Sequence, residues 1–363
     1  MSSASKGRVL VAMSGGVDSS VAAALLQQQG FEVTGVMMKT WDSSTVQSPE
    51  ISQGCSGPDT ETNIEDASKV ALRLGIPFHV IDLSHQFKSE ILDYFREEYL
   101  SGRTPNPCTR CNPRLKFGNL VEKVRECGIE FDFFATGHYA RLESNHREKR
   151  IRLKKALDSK KDQSYFLAFL SQEQLNHTLF PLGEYTKPLV RQLAAQLELE
   201  VAEKADSQDF SCGKYFTSLG SSIPGLILDK SGRELGRHNG IGRHTIGQRK
   251  GLGLYGSKPL YVTRLDPARN VVVVGEKEET FHRSLFASQL NWIAINRPDQ
   301  PIKVKARIRY RHQEAEADVT PVGEDRVYVR FAEPQMAITP GQTVVFYDGD
   351  IVVGGGIIDK SEE

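Results

Sequence analysis

Two short stretches hold residue types that could do chemistry together. In the first, Ser14-Gly15-Gly16-Val17-Asp18-Ser19 lies where the apolar run "RVLVAM" gives way to "SSVAAALLQQQG". Two glycines let the backbone turn so tightly that successive N–H groups converge on one anion, and the following helix adds its dipole and unpaired amides. The hydroxyls of Ser14, Ser19 and Ser20 are further donors. The Walker lysine is absent, so this is not the usual P-loop. Asp18 beside a polyanion suits a carboxylate that holds magnesium between phosphates. The plainer alternative is a serine-capped glycine turn with Asp18 complementing the helix dipole.

The second stretch is "TPNPCTRCN", residues 104–112, which presents Cys108 and Cys111 behind two prolines. A thiolate is a strong nucleophile, and Arg110, Arg114 and Lys116 make its surroundings electropositive. Three other uses compete. A zinc site usually needs a second cysteine or histidine pair, and none is visible. A thioredoxin-like couple opens a helix directly after a strand, whereas this pair follows a helix and a proline loop. Structural thiols are the third. Cys55 and Cys127 have no assigned role.

The elements that must position these residues alternate. "RVLVAM", "FEVTGVMMK", "PFHVIDL" and "FDFFATGHYA" read as strands, with helical patterns at "SSVAAALLQQQG", "NIEDASKVALRLGI" and "LKFGNLVEKVRECGI" between them. That rhythm predicts βαβ units and a doubly wound, mostly parallel sheet, with ligands at the carboxyl ends of its strands. Beyond about 205 the chain is glycine-dense. After about 282, segments such as "KVKARIRYRH", "DRVYVRFA" and "QTVVFYDGDIVVGGGII" alternate with period two and predict a small β-barrel. The expected domains are 1–205 (nucleotide-binding), 206–280 (a small α/β or β-rich centre) and 281–363 (barrel).

The 363 residues exceed what one core accommodates. Lys+Arg and Asp+Glu are equal at 46 each, so any nucleic-acid contact must rest on local basic stripes. No apolar run is long enough to span a bilayer, and "MSSASKGRVLVAM" shows no signal-peptide core, so a cytoplasmic location is expected. Two basic stretches stand out. "HREKRIRLKKALDSKKDQ" holds eight Lys or Arg in eighteen residues. In "KVKARIRYR", Lys303, Lys305, Arg307, Arg309 and Arg311 alternate with apolar residues, which places them on one strand face. A solvated hairpin and a lysine-protected edge strand are the ordinary readings of these two.

The Ser14–Ser19 motif resembles the signature of the PP-loop ATP pyrophosphatases, which have the adenine nucleotide alpha hydrolase-like fold. The resemblance implies that Ala12, Met13, Ser14, Gly15, Gly16, Val17, Asp18 and Ser19 cradle ATP phosphates, with Met38 and Gly137 near adenine and ribose and Mg near Asp18. Together, "TPNPCTRCNPRLKFG", "ATGHYARL", "KKDQSYFL", "DSQDF" and "IGQRKGLG" look like the tRNA-specific 2-thiouridylases and span most of the chain. That family uses ATP to replace the C2 oxygen of a wobble uridine with sulfur. The resemblance makes Cys111 the nucleophile and puts Asn106, Pro107 and Cys108 at the target base. Many members have aspartate where Cys108 stands. It assigns tRNA contacts to His138, Lys161, Asp162, Gln163, Arg309, Tyr310 and Gln342.

The family's persulfide cysteine is displaced here. "DSQDFSCGKYF" has Ser211 at the expected position and Cys212 one residue later, so the partner of Cys111, by persulfide or disulfide, is Cys108 or Cys212. Three converging cysteines, Cys108, Cys111 and Cys212, could also ligate an iron–sulfur cluster. Expected partners are tRNA and a persulfide-carrying sulfur donor protein, with no membrane. The alternative is a PP-loop ligase or amidotransferase-type synthetase acting on a small molecule.

Overall fold

The computed structural model describes residues 5–41, 60–145, 149–205, 223–254 and 258–362; Cys55 and Cys212 lie outside them. The chain divides into two compact units. The first comprises Met1–Ile91, Cys108–Ser211 and Asp350–Val352, and the second comprises Leu92–Pro107, Cys212–Gly349 and Val353–Glu363.

The first unit is built on five parallel strands. These are β1 (Arg8–Ala12), β2 (Glu32–Lys39), β3 (Phe78–Asp82), β4 (Phe133–Thr136) and β7 (Thr178–Leu179), in the spatial order β3-β2-β1-β4-β7. Strand β1 is central, and its Val9, Leu10 and Val11 are fully buried, as a strand covered on both faces requires. Helix α1 (Val17–Gln28) is buried on nearly every side, through Val17 and Ser19 to Leu26. Helix α2 (Thr60–Leu74) is amphipathic instead, burying Thr60, Ala67, Val70 and Ala71 along one stripe. After β1 the winding reverses between β2 on one side and β4 on the other, and the loop 13–16 opens at that reversal. A crevice at the strand ends therefore forms where the sequence places it.

"FDFFATGHYA" is not one strand. It breaks at Gly137 into β4 and β5 (Ala140–Asn145), and β5 turns back as an antiparallel hairpin with β6 (Arg150–Lys155). Much of the basic stretch therefore forms the returning strand of that hairpin.

In the second unit, β8 (Gly225–Asp229), β9 (Glu234–His238), β10 (Tyr261–Asp266) and β11 (Val271–Gly275) form a sheet in the order β10-β11-β8-β9. Only the β11–β8 pairing is parallel. The later strands are β12 (Phe281–Trp292), β13 (Ile302–Arg307), β14 (Ala315–Pro321), β15 (Arg326–Met336), β16 (Thr343–Asp348) and β17 (Ile351–Glu362). They run β12-β15-β14-β13-β16-β17, and pairing of β12 with β17 closes a six-stranded barrel. Its interior holds Leu285, Val304, Ala306, Val329, Phe331 and Phe346, the inward half of each alternating pattern.

The cationic face expected on "KVKARIRYR" is shorter than its pattern. Strand β13 ends at Arg307, and His312 N–H donates to the Arg309 carbonyl in the turn beyond it (3.0 Å). Strand β14 sets Asp318 opposite Lys303 and Glu316 opposite Lys305. Arg307 pairs with Glu314 at 2.7 Å and stacks over the Tyr347 ring. Asp318 and Glu316 on the facing strand, and Glu314 just before it, set an acid against each of these three cations, which alternation along one strand cannot reveal.

Candidate active site

The loop after β1 is braced from within. Ser19 Oγ accepts from Ser14 N–H (3.1 Å) and donates to the Gly16 carbonyl (3.2 Å), and Ser20 Oγ donates to the same carbonyl (2.9 Å). Met13 N–H donates to the Val36 carbonyl of β2, which anchors the loop's entry. Gly15 holds φ +70° and lies against α2, where an added Cβ would come within 2.4 Å of the Asn63 carbonyl oxygen. Ser14 faces solvent, whereas Ser20 is fully buried. Ser20 is thus a brace of the loop rather than the phosphate donor its type suggested.

Gly137 closes on this loop from β4. A Cβ there would lie 2.7 Å from Ser19 N and 2.8 Å from Asp18 C, so the strand end and the first turn of α1 meet backbone to backbone. Met38 is half-buried near the carboxyl end of β2, the same edge of the sheet. The structure thus gathers residues 12–19, Met38 and Gly137 at one sheet edge.

Asp18 is engaged by protein. Lys187 Nζ donates to both its oxygens (2.8 and 2.7 Å), and the Tyr139 hydroxyl donates to Oδ1 (2.7 Å). Lys187, the first residue of helix Lys187–Gln196, is 7% exposed. A carboxylate so neutralised does not fit the expected direct magnesium ligand, because a metal would have to displace the ammonium. No signal near Asp18 in the chain announces Lys187, 169 positions away. Tyr139 is in turn clamped by Gln163, whose Oε1 accepts from Tyr139 N–H (2.9 Å) and whose own N–H donates to the Tyr139 carbonyl (2.9 Å).

Gln163 ends the loop for which the resemblance implied RNA contacts. Asp162, 5% exposed, accepts at Oδ1 from the Ala156 and Ser164 amides and at Oδ2 from the Ser164 hydroxyl. It therefore shapes the loop, and Lys161 is half-buried beside it.

Cys108 and Cys111 are half-buried on the helical turn Pro107–Cys111. Three residues apart, they share one face of it. Asn112, 4% exposed, fixes the turn's end by donating to the Phe166 carbonyl (3.1 Å), and Arg110 Nε donates to the Glu90 carbonyl (2.8 Å). The helix continues through a widened turn, Asn112–Asn119, containing Pro113; such irregular turns recur at functional sites. Phe117 then packs edge-on against Phe134 of β4 and near the His138 ring. This packing sets the cysteine-bearing helix over the carboxyl end of β4.

His138 Nδ1 lies 2.7 Å from the Thr136 hydroxyl. Desolvation, with the Lys116 charge adding to it, holds the imidazole well below its ordinary pKa, so the ring is neutral near pH 7. Among the described residues no group of three or more His, Cys, Asp or Glu could hold a metal ion. Two of the three thiols expected for an iron–sulfur cluster are present there, and the third, Cys212, lies outside them.

In the second unit, Gln342 Nε2 donates to the Thr104 carbonyl (2.7 Å), and Thr104 N–H donates to the Pro340 carbonyl (2.8 Å). These bonds dock the proline loop that carries Asn106 and leads to Pro107. Arg309 donates to the Ile246 and Ala337 carbonyls (3.0 Å each) and to the Thr339 hydroxyl. Tyr310 is half-buried in the adjoining turn.

The parallel sheet with its phosphate-type loop defines a HUP-class nucleotide domain. The profile described as tRNA methyl transferase HUP domain matches residues 7–212. A PRC-barrel domain profile follows at 215–276, and an aminomethyltransferase β-barrel profile at 282–358. Sequence relatives narrow the class. The tRNA-specific 2-thiouridylase MnmA 1 of Caldanaerobacter subterraneus is 51% identical over 97% of this chain and 98% of that protein. Those of Endomicrobium trichonymphae and Acetivibrio thermocellus are 48% and 46% identical, over 97% and 98% of this chain and 98% and 99% of theirs. The chain belongs to the tRNA-specific 2-thiouridylase family. No helix among the described residues is long and apolar enough to cross a membrane.

Proposed function

We propose that this chain thiolates C2 of the wobble uridine in tRNA at the expense of ATP, releasing AMP and pyrophosphate. The observation that carries the reading is the meeting, at one edge of the parallel sheet, of the braced Ser14–Ser19 loop with the packing that holds the Cys108–Cys111 helix. The first suits an anion and the second a sulfur nucleophile. Near-full-length identity to 2-thiouridylases supports it. The domain profiles carry methyltransferase descriptions, but methyl transfer needs no phosphate loop and leaves a cysteine pair unexplained.

In this reading the loop amides and the Ser14 hydroxyl bind the phosphates, while Gly137 lets the nucleotide approach the start of α1. The uridine O2 attacks the α-phosphorus and pyrophosphate leaves, which makes the oxygen a leaving group. The donor protein's persulfide sulfur is passed to Cys108 or Cys212. The Cys111 thiolate attacks the inner sulfur of that persulfide, forming a disulfide and expelling hydrosulfide. Hydrosulfide adds at C2 and AMP departs. A thiol reductant then returns the two electrons held in the disulfide. Neutral His138 is a hydrogen-bonding neighbour to the base, and Lys161, Arg309 and Tyr310 meet the RNA. Residues 1–205, 206–280 and 281–363 act as the catalytic, central and barrel domains, in the cytoplasm.

The test measures pyrophosphate release from ATP with and without unmodified tRNA transcript, beside the Cys108→Ser and Cys212→Ser variants. The reading predicts release that depends on tRNA, and loss of 2-thiouridine in whichever variant removes the persulfide carrier. Pyrophosphate release indifferent to tRNA would favour the small-molecule ligase.

A further inference from the structure

Lys204 makes contacts with the phosphate loop that the reaction scheme does not use. Its Nζ donates to the Gly15 carbonyl (3.0 Å), Asn63 Oδ1 (2.8 Å) and Asp66 Oδ2 (2.6 Å). An ammonium has three donors, so all are spent inside the protein and none is left for a phosphate. Two of the acceptors sit one turn apart on α2. The same helix meets Gly15 directly, at the close approach to the Asn63 carbonyl. Gly15 is therefore held by α2 on one side and by the Lys204 ammonium at its carbonyl.

We propose that Lys204 is a positioning residue for nucleotide binding, which orients the Gly15–Gly16 peptide so that the Gly16 amide faces the phosphates. Among the described residues there is no cis peptide bond. In a trans peptide the carbonyl and the following N–H point in opposite directions, so fixing the Gly15 oxygen fixes the Gly16 hydrogen. Glycine at both positions would otherwise let this plane flip at little cost. A nest of amides binds an anion only while its N–H groups converge. Lys204 thus does for the loop what a Walker lysine does not: it sets the donors rather than being one. The inference rests on reading residues 12–19 as the ATP site.

The measurement is the Kd of full-length protein for a non-cleavable ATP analogue with magnesium, without RNA, by titration calorimetry, alongside steady-state KM and kcat. In Lys204→Met, Kd and KM for nucleotide should rise about tenfold or more, the loss expected for one charge-assisted hydrogen bond, while kcat and tRNA Kd stay within about twofold. Lys204→Arg should recover part of the affinity. Should Lys204→Met fail to fold, Asp66→Asn removes the counter-charge that seats the ammonium and should weaken binding about threefold. Unchanged nucleotide Kd in a folded Lys204→Met, or in Asp66→Asn if that must stand in, would overturn the proposal. A fall in kcat at constant KM would overturn it too. Failure of the unaltered protein to bind the analogue would refute the ATP-site reading itself, and this inference with it.

Discussion

At Asp18 two carboxylate oxygens serve three donated hydrogen bonds, and the balance of charge beside the loop depends on Lys187. Removing that lysine leaves a half-buried carboxylate beside the Ser14–Ser19 loop without its counter-charge. Lys187→Met should therefore cost about 2 kcal/mol in urea unfolding, below the usual cost for a fully buried pair because Asp18 keeps some exposure. It should also weaken ATP binding, and Asp18→Asn in the same background should restore most of the stability. Gly137 is constrained differently. Gly137→Ala should leave a folded protein destabilised by about 1–3 kcal/mol, with ATP affinity lost as the new methyl displaces the Ser19 amide. Much of this site was legible from residue types: the double glycine, the serines and the cysteine pair. Lys187, Lys204 and Tyr139 were not, because each acts on the loop from far along the chain, and a lone lysine or tyrosine has no local signature.

Among the elements, the loop that ends in Gln163 separates shape from charge. Asp162 satisfies two buried amides and a hydroxyl, so Asp162→Ala should lower unfolding stability by about 2–4 kcal/mol. Lys161→Ala should reduce the slope of log tRNA affinity against log salt by about one. If Asp162→Ala altered RNA affinity without altering stability, the assignment of roles within the loop would be wrong. The strand patterns explain why the expected cationic face was harder to read. Alternation in "KVKARIRYR" correctly placed Val304 and Ala306 in the barrel interior, yet said nothing of Asp318, Glu316 and Glu314 opposite. Cross-strand neighbours depend on register, which one strand's sequence does not carry. The break at Gly137 was hidden likewise, since "FDFFATGHYA" is apolar on both sides of it.

For the whole molecule, the switch from helix–strand alternation to period-two alternation foretold the change from a parallel sheet to a closed barrel. What composition does not foretell is how the chain's parts respond to pH. In the second unit, His244 is buried beside His238 and Arg243, and desolvation with those charges lowers its pKa to about 4, while His238 is lowered as well. Above pH 6.5 both folded and unfolded chains hold His244 neutral, and its contribution to stability is complete. Between pH 6.5 and about 4 the unfolded chain binds a proton that the folded chain refuses. Stability therefore falls with acidification, at up to about 1.4 kcal/mol per pH unit. Urea unfolding between pH 7.5 and 5 should show that decline, and His244→Gln should flatten it in part, His238 retaining the remainder.

The central claim is that Cys111 is the nucleophile of an ATP-driven tRNA thiolation, and its most direct test is formation of 2-thiouridine. Purified protein would be given ATP, magnesium, a persulfide sulfur source and unmodified tRNA transcript, and the RNA digested and analysed by mass. The unaltered protein should produce 2-thiouridine, and Cys111→Ser should produce none while still binding ATP and tRNA. Undiminished 2-thiouridine from Cys111→Ser, or none from the unaltered protein, would contradict the account.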